Sequence, residues 1–411
     1  MTHTAATALF WICGLLLVVA AVRHYLRRAI IPPVCWLLLA GVIVGALRRH
    51  ADAPLPSFRV GPGMLVYGFL PLLIFDSSRK LDPRDLREVW PEAGLMSLFG
   101  PLVGMIFLGG ILHVSAGVPL LDSLLFGALL SATDPVSVTA VFDAFPVPKR
   151  LRAMVEGESL LNDGVVVVLF TVLTGRLTGE TVLSVPGTLG WFVVSVLGAL
   201  GFGALVGGGG TLLLRVWHEQ HDRFIGALIP LVTVYFAFAV AEHSLGLSGV
   251  LSVMTATLTL GHLHIHGKKR SASADQFFDD FWGFGHQLAN SVLFFVLGIR
   301  MGEHAWRLPW WIVPVVMMAM LAARAMMVYG GLTLTGWLHR VVSRRWQHVL
   351  NIGGLRGALS VVLLLMLPPG YAHRHLFLCL AFALIFFTIL INTFTMRIFL
   401  RRTELRVEDS L

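Results

Sequence analysis

Charge and cysteine are both scarce in this chain of 411 residues. Only 13% of the residues are charged, whereas an ordinary soluble domain carries about 25%. The three cysteines, Cys13, Cys35 and Cys379, all lie in apolar stretches, and neither their number nor their spacing matches a disulfide framework or a metal site. These shortages exclude an ordinary soluble enzyme domain and a small protein held together by disulfides.

Apolar sequence is what the chain has in abundance, with 56% hydrophobic residues and a mean hydropathy of +0.79. Apolar runs of roughly 17 to 25 residues, the length that spans a bilayer, recur from end to end. We therefore expect an all-α polytopic membrane protein with about thirteen transmembrane helices. The predicted segments are 8–22, 30–47, 62–76, 94–113, 119–145, 151–175, 190–214, 224–241, 246–262, 277–299, 308–330, 350–367 and 375–396.

The formal net charge of +8 has its source in the loops. With the N-terminus placed outside, most of the 31 Lys and Arg residues fall in loops on the inner side. Cytoplasmic loops of membrane proteins carry such an excess. The sequence thus predicts a multi-pass protein of the plasma (inner) membrane, with the N-terminus outside, a short cytoplasmic tail at 403–411, and no nucleic-acid partner.

Segment five contains a polar interruption, Thr133-Asp134-Pro135, between apolar residues. Proline removes a backbone donor and disfavours helix at the residue before it. The helix is therefore expected to break near Asp134. A break at membrane depth is tolerated only where it is buried in protein or lines a wet cavity, and many transporters build ion sites this way. A simple proline kink is the alternative.

Segment six presents four polar residues, Glu158, Ser159, Asn162 and Asp163, three or four positions apart. That spacing gathers hydroxyl, amide and carboxylate oxygens on one helix face. Monovalent cations bind to oxygen ligands, so this face is a candidate cation site. The alternative is a hydrogen-bonding cluster that serves only helix packing. Two carboxylates in one membrane helix are costly, which favours the functional interpretation.

Segment twelve contains Arg356 among three glycines. A buried guanidinium needs an anion, and Glu158 and Asp134 are the candidates. The alternative is an arginine that reaches the inner interface, and Arg324 in segment eleven is expected to do so because it lies near the cytoplasmic end.

The interruptions in segments five and twelve lie seven spans apart, so the two segments run in opposite directions. Interrupted helices at matching positions of opposite orientation predict inverted repeats that cross near the bilayer midplane. This expectation comes from position alone.

With those residues in view, the chain resembles a sodium/proton exchanger of the first branch of the monovalent cation:proton antiporter superfamily. The stretches that carry the resemblance are "SATDPVSVTAVF" (131–142), "EGESLLNDGVVVVLF" (156–170) and "GGLRGALSVVL" (353–363). Weaker support comes from "LPLLIFDSSRKLD" (70–82) and "ANSVLFFVLG" (289–298).

The resemblance implies thirteen helices in inverted repeats, with two crossed discontinuous helices. It also implies a transmembrane unit over 1–402, whose core bundle includes about 94–175 and 308–396, while the remaining helices form a homodimer. Dimerisation follows from the resemblance alone. The expected partners are monovalent cations, protons, membrane lipid and a second copy of the chain.

The resemblance also assigns roles to site residues. The ion-binding carboxylate falls on Asp163, preceded by Asn162, and this Asn-Asp pair marks the electroneutral branch. Thr133 and Asp134 match the unwound crossing helix, and Ser159 matches a cation ligand. The expected Na⁺ ligands are thus Asp163, Ser159 and Thr133.

Two further roles come from the same resemblance. Glu158 and Arg356 match an internal ion pair. Some family members have a glutamate where this chain has Asp76, which makes Asp76 a further candidate for cation binding with a shorter reach.

The expected mechanism is competition at Asp163, which can hold a proton or a cation but not both. Exchange of Na⁺ for H⁺, one for one, would follow without any cofactor. Li⁺ or K⁺ as the cation stays open, because all three ions accept oxygen ligands.

Two other classes of protein compete with an exchanger. "GLSG" (246–249) resembles the nucleophile motif of intramembrane serine proteases, with Ser248 as nucleophile and His286 as a base. A four-residue pattern of this kind is weak evidence in a chain with 42 glycines, and small residues that allow tight helix packing are the favoured explanation. A channel is the second alternative, although the sequence contains no visible repeated pore loop.

Overall fold

The computed structural model describes residues 13–22, 24–25, 31–50, 63–145, 147–179, 185–217, 223–265, 272–303, 310–334, 341–368 and 370–403. All regular secondary structure in these ranges is helical. Each of the thirteen predicted segments overlaps a helix or a pair of helices there, which confirms the all-α fold class.

The helices are numbered in chain order. They are α1 (Cys13–Val22), α2 (Pro33–His50), α3 (Leu70–Arg79, preceded by a π-helical turn Met64–Phe69), α4 (Pro83–Glu88), α5 (Trp90–Ala116), α6 (Leu120–Leu129), α7 (Val136–Ala144), α8 (Lys149–Thr178), α9 (Val185–Val216), α10 (Arg223–Ala239, followed by a π-helical turn Val240–Leu245), α11 (Gly249–Ile265), α12 (Ala272–Glu303), α13 (Ile312–Ala325, followed by a π-helical turn Met326–Gly331), α14 (Arg344–Ile352), α15 (Ala358–Met366) and α16 (Arg374–Thr403).

Six helical stretches in the described residues can cross a membrane by length and composition. They are Trp90–Ala116, Lys149–Thr178, Gly190–Val216, Phe224–Leu245, Ile312–Leu334 and Arg374–Thr403. Shorter apolar helices in these ranges include Leu120–Leu129, which ends where an interruption begins.

Local sequence explains where helices α8 and α5 end. Helix α8 follows Pro148, and it stops at Gly179, whose φ of 76° is left-handed. Helix α5 stops at Gly117, with a φ of 66°. Glycine adopts this conformation without the steric penalty that a Cβ brings.

The helices pack as two groups. Helix α5 packs against α6, α8 and α13, while α2, α3 and α9 to α12 pack mainly among themselves. Glycine spacing draws α2 and α12 together, since a Cβ on Gly41 would lie 2.9 Å from the Cα of Gly298. Small residues four apart permit such close approach in membranes.

Two interrupted helices meet at their interruptions. Helix α6 ends at Leu129 and α7 begins at Val136, while α14 ends at Ile352 and α15 begins at Ala358. The backbone N–H of Asp134 donates to the carbonyl of Leu355 at 2.8 Å. The predicted break at Asp134 and the predicted crossing of two discontinuous helices are therefore confirmed.

Candidate functional site

A cavity of about 30 Å³ lies where the two helix groups face each other. This volume exceeds the ~10–15 Å³ that one water molecule requires. Its lining comes from the interruption before α7, part of α8 and the start of α15 on one side, and from α3 and α12 of the second group on the other. The lining residues are Leu70, Leu73, Ile74, Ser77, Ala132, Thr133, Asp134, Pro135, Leu160, Asp163, His286, Asn290, Gly357, Ala358 and Leu359.

Asp163 lines this cavity from the middle of α8 and is only partly buried. Its Oδ1 atom is buried and has no hydrogen-bond partner. A buried carboxylate oxygen without a partner is costly, so native proteins seldom leave one unless it has a functional use. Asp163 is thus available to a proton or a cation.

Thr133, Ser159 and Asn162 form a hydrogen-bonded cluster beside Asp163. The Ser159 hydroxyl donates to the Thr133 carbonyl, and the Thr133 hydroxyl lies 3.2 Å from that of Ser159. The Asn162 amide donates to the Ser131 carbonyl at 3.1 Å and to the Thr133 hydroxyl at 3.2 Å. Helix α8 therefore satisfies backbone and hydroxyl groups that the interruption would otherwise leave without partners.

Asp134 lines the same cavity and lies against Gly357, the residue at the start of α15. A Cβ at Gly357 would overlap the Asp134 side chain. Glycine is therefore required at 357 for the two interrupted segments to approach this closely. The N-terminal end of a helix favours negative charge, which suits a carboxylate in this place.

Glu158 has a partner that the sequence did not predict. The expected ion pair with Arg356 is wrong, because the carboxylate of Glu158 instead accepts two hydrogen bonds from Arg324. One of them, from Nη2 to Oε2, measures 2.8 Å. The side chain of Glu158 is only 3% exposed, and that of Arg324 is 10% exposed. Arg324 thus does not reach for the inner interface, because the packing of α13 brings it to this buried acid.

Arg356 is buried and contacts backbone instead. Its Nη1 donates to the carbonyls of Ser131 at 2.9 Å and Ala132 at 3.2 Å, just past the end of α6. Carbonyls at a helix end lack intrahelical partners and attract a cation. Arg356 therefore pairs with buried carbonyls at the end of α6, which leaves Glu158 to Arg324.

Asp76 is fully buried in α3, but it is not among the residues that line the cavity. Lys80 Nζ lies 2.6 Å from its Oδ2, and Arg79 Nη2 lies 2.8 Å from its Oδ1. Both oxygens are therefore occupied by fixed cations. The structure does not bring Asp76 together with Asp163, and a role in cation binding stays a prediction.

Sequence reasoning missed three polar residues that line the cavity from the second group: Ser77 on α3, and His286 and Asn290 on α12. The signal was present, since His286 and Asn290 stand four positions apart before the apolar run of "ANSVLFFVLG" (289–298). His286 entered the prediction only as the base of a protease.

The contacts of Ser248 in the described residues are not those of a catalytic nucleophile. Its buried hydroxyl accepts a hydrogen bond from the N–H of Leu251 at 3.3 Å, at the start of α11. His286, the proposed base, faces Asp76 at 3.3 Å. Ser248 therefore caps a helix.

Comparison with known proteins identifies the class. The family model described as "Sodium/hydrogen exchanger, transmembrane" matches residues 14–402, so the chain belongs to the sodium/hydrogen exchanger family, within the monovalent cation:proton antiporter superfamily.

Among individual proteins, the chain is similar to the Na(+)/H(+) antiporter NhaG of Bacillus atrophaeus, with 30% identity over 380 residues, 89% of this chain and 69% of the relative. It is 31% identical over 359 residues to the Na(+)/H(+) antiporter ApNhaP of Aphanothece halophytica, which covers 87% of this chain and 67% of the relative. The fold is similar to that of the sodium proton antiporter MjNhaP1 from Methanocaldococcus jannaschii at pH 8, with a TM-score of 0.77, 18% identity, and coverage of 97% of this chain and 99% of the other.

Proposed function

We propose that this protein exchanges Na⁺ for H⁺ across a membrane and that both ions compete for Asp163. The observation that carries the proposal is the unpartnered Oδ1 of Asp163 beside the cavity. The antiporter relatives and the family match support the choice of ions.

The chemistry follows from one carboxylate with two uses. Protonation removes the negative charge that attracts a cation, and a bound cation disfavours protonation. Thr133 and Asp134 line the same cavity and offer further oxygens, so a cation beside Asp163 has neighbours to complete its coordination. Ser159 and Asn162 hold Thr133 in place, and Ser159 stays a candidate Na⁺ ligand.

An electroneutral exchange of one Na⁺ for one H⁺ is the stoichiometry that we propose. Glu158 is neutralised by Arg324, and the neighbour of Asp163 on α8 is the neutral Asn162. Asp134 is the second carboxylate that lines the cavity. It lies against Gly357 at the N-terminal end of α15, and the partial positive charge of that helix end balances its negative charge. Asp163 is then the group whose charge changes during transport.

We also propose the membrane setting. Loop charges favour the plasma (inner) membrane, with the N-terminus outside and the C-terminus in the cytoplasm. The group around α5, α6, α8 and α13 would act as the transporting core, and helices of the second group would join two copies as a homodimer. Relative movement of the two groups would then expose Asp163 to each side in turn.

The test uses purified protein in proteoliposomes with an internal pH dye. Addition of Na⁺ should move protons through the wild type, and Asp163→Asn should lower the rate about a hundredfold, because the exchangeable carboxylate is gone. The matched control is Asp143→Asn, since the Asp143 side chain is 69% exposed and pairs with Arg152. Retained Na⁺-driven proton flux in Asp163→Asn would overturn the proposal.

The same vesicles test the stoichiometry. With K⁺ and valinomycin setting the membrane potential, an electroneutral exchange keeps its initial rate at any potential. A rate that rises and falls with the potential would contradict the one-for-one proposal while leaving antiport intact. A K⁺ gradient in place of Na⁺ tests the alternative of potassium/proton exchange.

A further inference from the structure

The two walls of the cavity differ in chemistry. The wall from the first helix group carries two acids, Asp134 and Asp163. Every polar side chain that the second group contributes is neutral or a histidine, namely Ser77, His286 and Asn290. Whatever sits beside Asp163 therefore faces two acids on one side, and on the other an apolar surface whose polar groups are a hydroxyl, an imidazole and an amide.

The α12 side of this wall has a polar atom without a partner. The Oδ1 atom of Asn290 is buried and has no hydrogen-bond partner. His286 is 8% exposed, and its Nδ1 lies 3.3 Å from the Asp76 carboxylate. Buried polar groups are nearly always paired, so the unpaired amide oxygen of Asn290 at this cavity indicates a missing ligand.

The spacing and chemistry of this pair identify the better ligand atom. His286 and Asn290 are four residues apart and share one face of α12. The Asn290 oxygen is a neutral acceptor, and neutral carbonyl oxygens replace the hydration shell of monovalent cations in membrane proteins. Packing alone does not explain the residue, because an apolar side chain would fill the same place without burying an unpaired oxygen.

We infer that Asn290 is a cation-binding residue, whose Oδ1 completes the oxygen shell of the ion held by Asp163. This inference rests on the proposed function, because it concerns the same transported ion. A neutral ligand from the second helix group changes affinity and ion preference without changing the charge carried. It also couples the ion to both helix groups at once.

The test compares Asn290→Ala with Ser291→Ala in proteoliposomes. Ser291 is the next residue on α12, is 4% exposed, and donates to the carbonyl of Gln287 at 2.7 Å; it is not among the residues that line the cavity. Loss of one ion ligand should raise the KM for Na⁺ about tenfold in Asn290→Ala. The maximal rate at saturating Na⁺ should stay within about twofold of the wild type, since Asp163 is intact.

A second readout separates ligation from mere structural damage. The ratio of the KM values for Li⁺ and Na⁺ should change at least about threefold in Asn290→Ala, because ions of different radius depend differently on one oxygen. Ser291→Ala should keep the wild-type ratio. Equal KM values and an unchanged ratio in the two variants would overturn the inference.

Asn290→Ser keeps the test decisive if the alanine variant does not fold. It retains an oxygen at a shorter reach, so its KM should lie above that of the wild type with an altered ion ratio; wild-type values in both would refute the role of Asn290. Failure of the proposed function is distinguishable, because it appears as Na⁺-driven exchange that survives Asp163→Asn, whatever the Asn290 variants do.

Discussion

Two of the carboxylates on helix α8, Glu158 and Asp163, are in opposite circumstances. Glu158 is only 3% exposed and accepts two hydrogen bonds from Arg324. Asp163 lies five positions further on, lines a cavity, and keeps one buried oxygen without a partner. The same helix thus contains one acid with a permanent counterion and one acid without any in the described part of the chain.

This difference separates structure from transport. A carboxylate that is paired with a fixed guanidinium does not readily exchange its partner, because separating the two groups would leave both charges buried and unpaired. A carboxylate that faces a cavity exchanges partners at little structural cost. The paired acid therefore stabilises the crossing of the interrupted helices, while the unpaired acid is the one that can bind cargo.

The largest effect on stability should come from Glu158→Gln. It leaves Arg324 buried without its counterion, which we expect to lower the free energy of unfolding by about 3–5 kcal/mol. Thermal denaturation in detergent, read by intrinsic fluorescence, measures this. The double variant Glu158→Gln/Arg324→Gln should be more stable than either single variant, because no uncompensated charge remains; additive losses would mean that the pair does not act as a unit.

Asp163→Asn should lower transport without lowering stability, in contrast to the loss of stability expected for Glu158→Gln. Transport falls about a hundredfold, as described for the proteoliposome assay. The melting temperature should stay equal to that of the wild type or rise, because an unpartnered buried carboxylate is replaced by a neutral amide. A melting temperature that falls as far as in Glu158→Gln would show that Asp163 also has a structural counterion, and the contrast between the two acids would fail.

Gly357→Ala tests the junction that holds Asp134 at the cavity. A Cβ there overlaps the Asp134 side chain, so the interruptions must separate, and we expect Na⁺-driven exchange to fall about tenfold. Gly110→Ala in α5 is the matched control, because a Cβ at Gly110 has open space around it. Equal activity in both variants would show that the crossing tolerates more distance than its geometry indicates.

The smallest effect is expected for Ser248→Ala. The serine caps α11 through the Leu251 N–H, so its loss should cost about 1 kcal/mol of stability. Initial rates of Na⁺-driven exchange in vesicles should match the wild type. Abolished transport would show that Ser248 takes part in exchange and does more than cap α11.

Local sequence was sufficient to locate the helices and the first interruption. Pro135 breaks its helix for reasons within the residue and its predecessor, and the long apolar runs define the membrane spans. The polar face of α8 was likewise visible from spacing alone, because residues three and four apart are neighbours on any helix.

Partners across helices were not predictable in the same way. Arg324 and Arg356 were equally able to neutralise Glu158 on composition, and the choice depended on which helix packs against α8. The carbonyls left by the end of α6 hold Arg356, and Arg324 is left for the acid. Asn290 was missed because its relation to Asp163 exists only after α12 packs beside α3 and the interruptions.

The sequence by itself determined that this is a membrane-spanning bundle, where one helix breaks, and which acid on α8 stands beside an amide, because each of these follows from chain-local sterics and hydropathy. Only the tertiary structure decided which arginine neutralises Glu158 and that α12 forms part of the second wall of the cavity. Those outcomes depend on distances between helices far apart in the chain, and no local pattern encodes such distances.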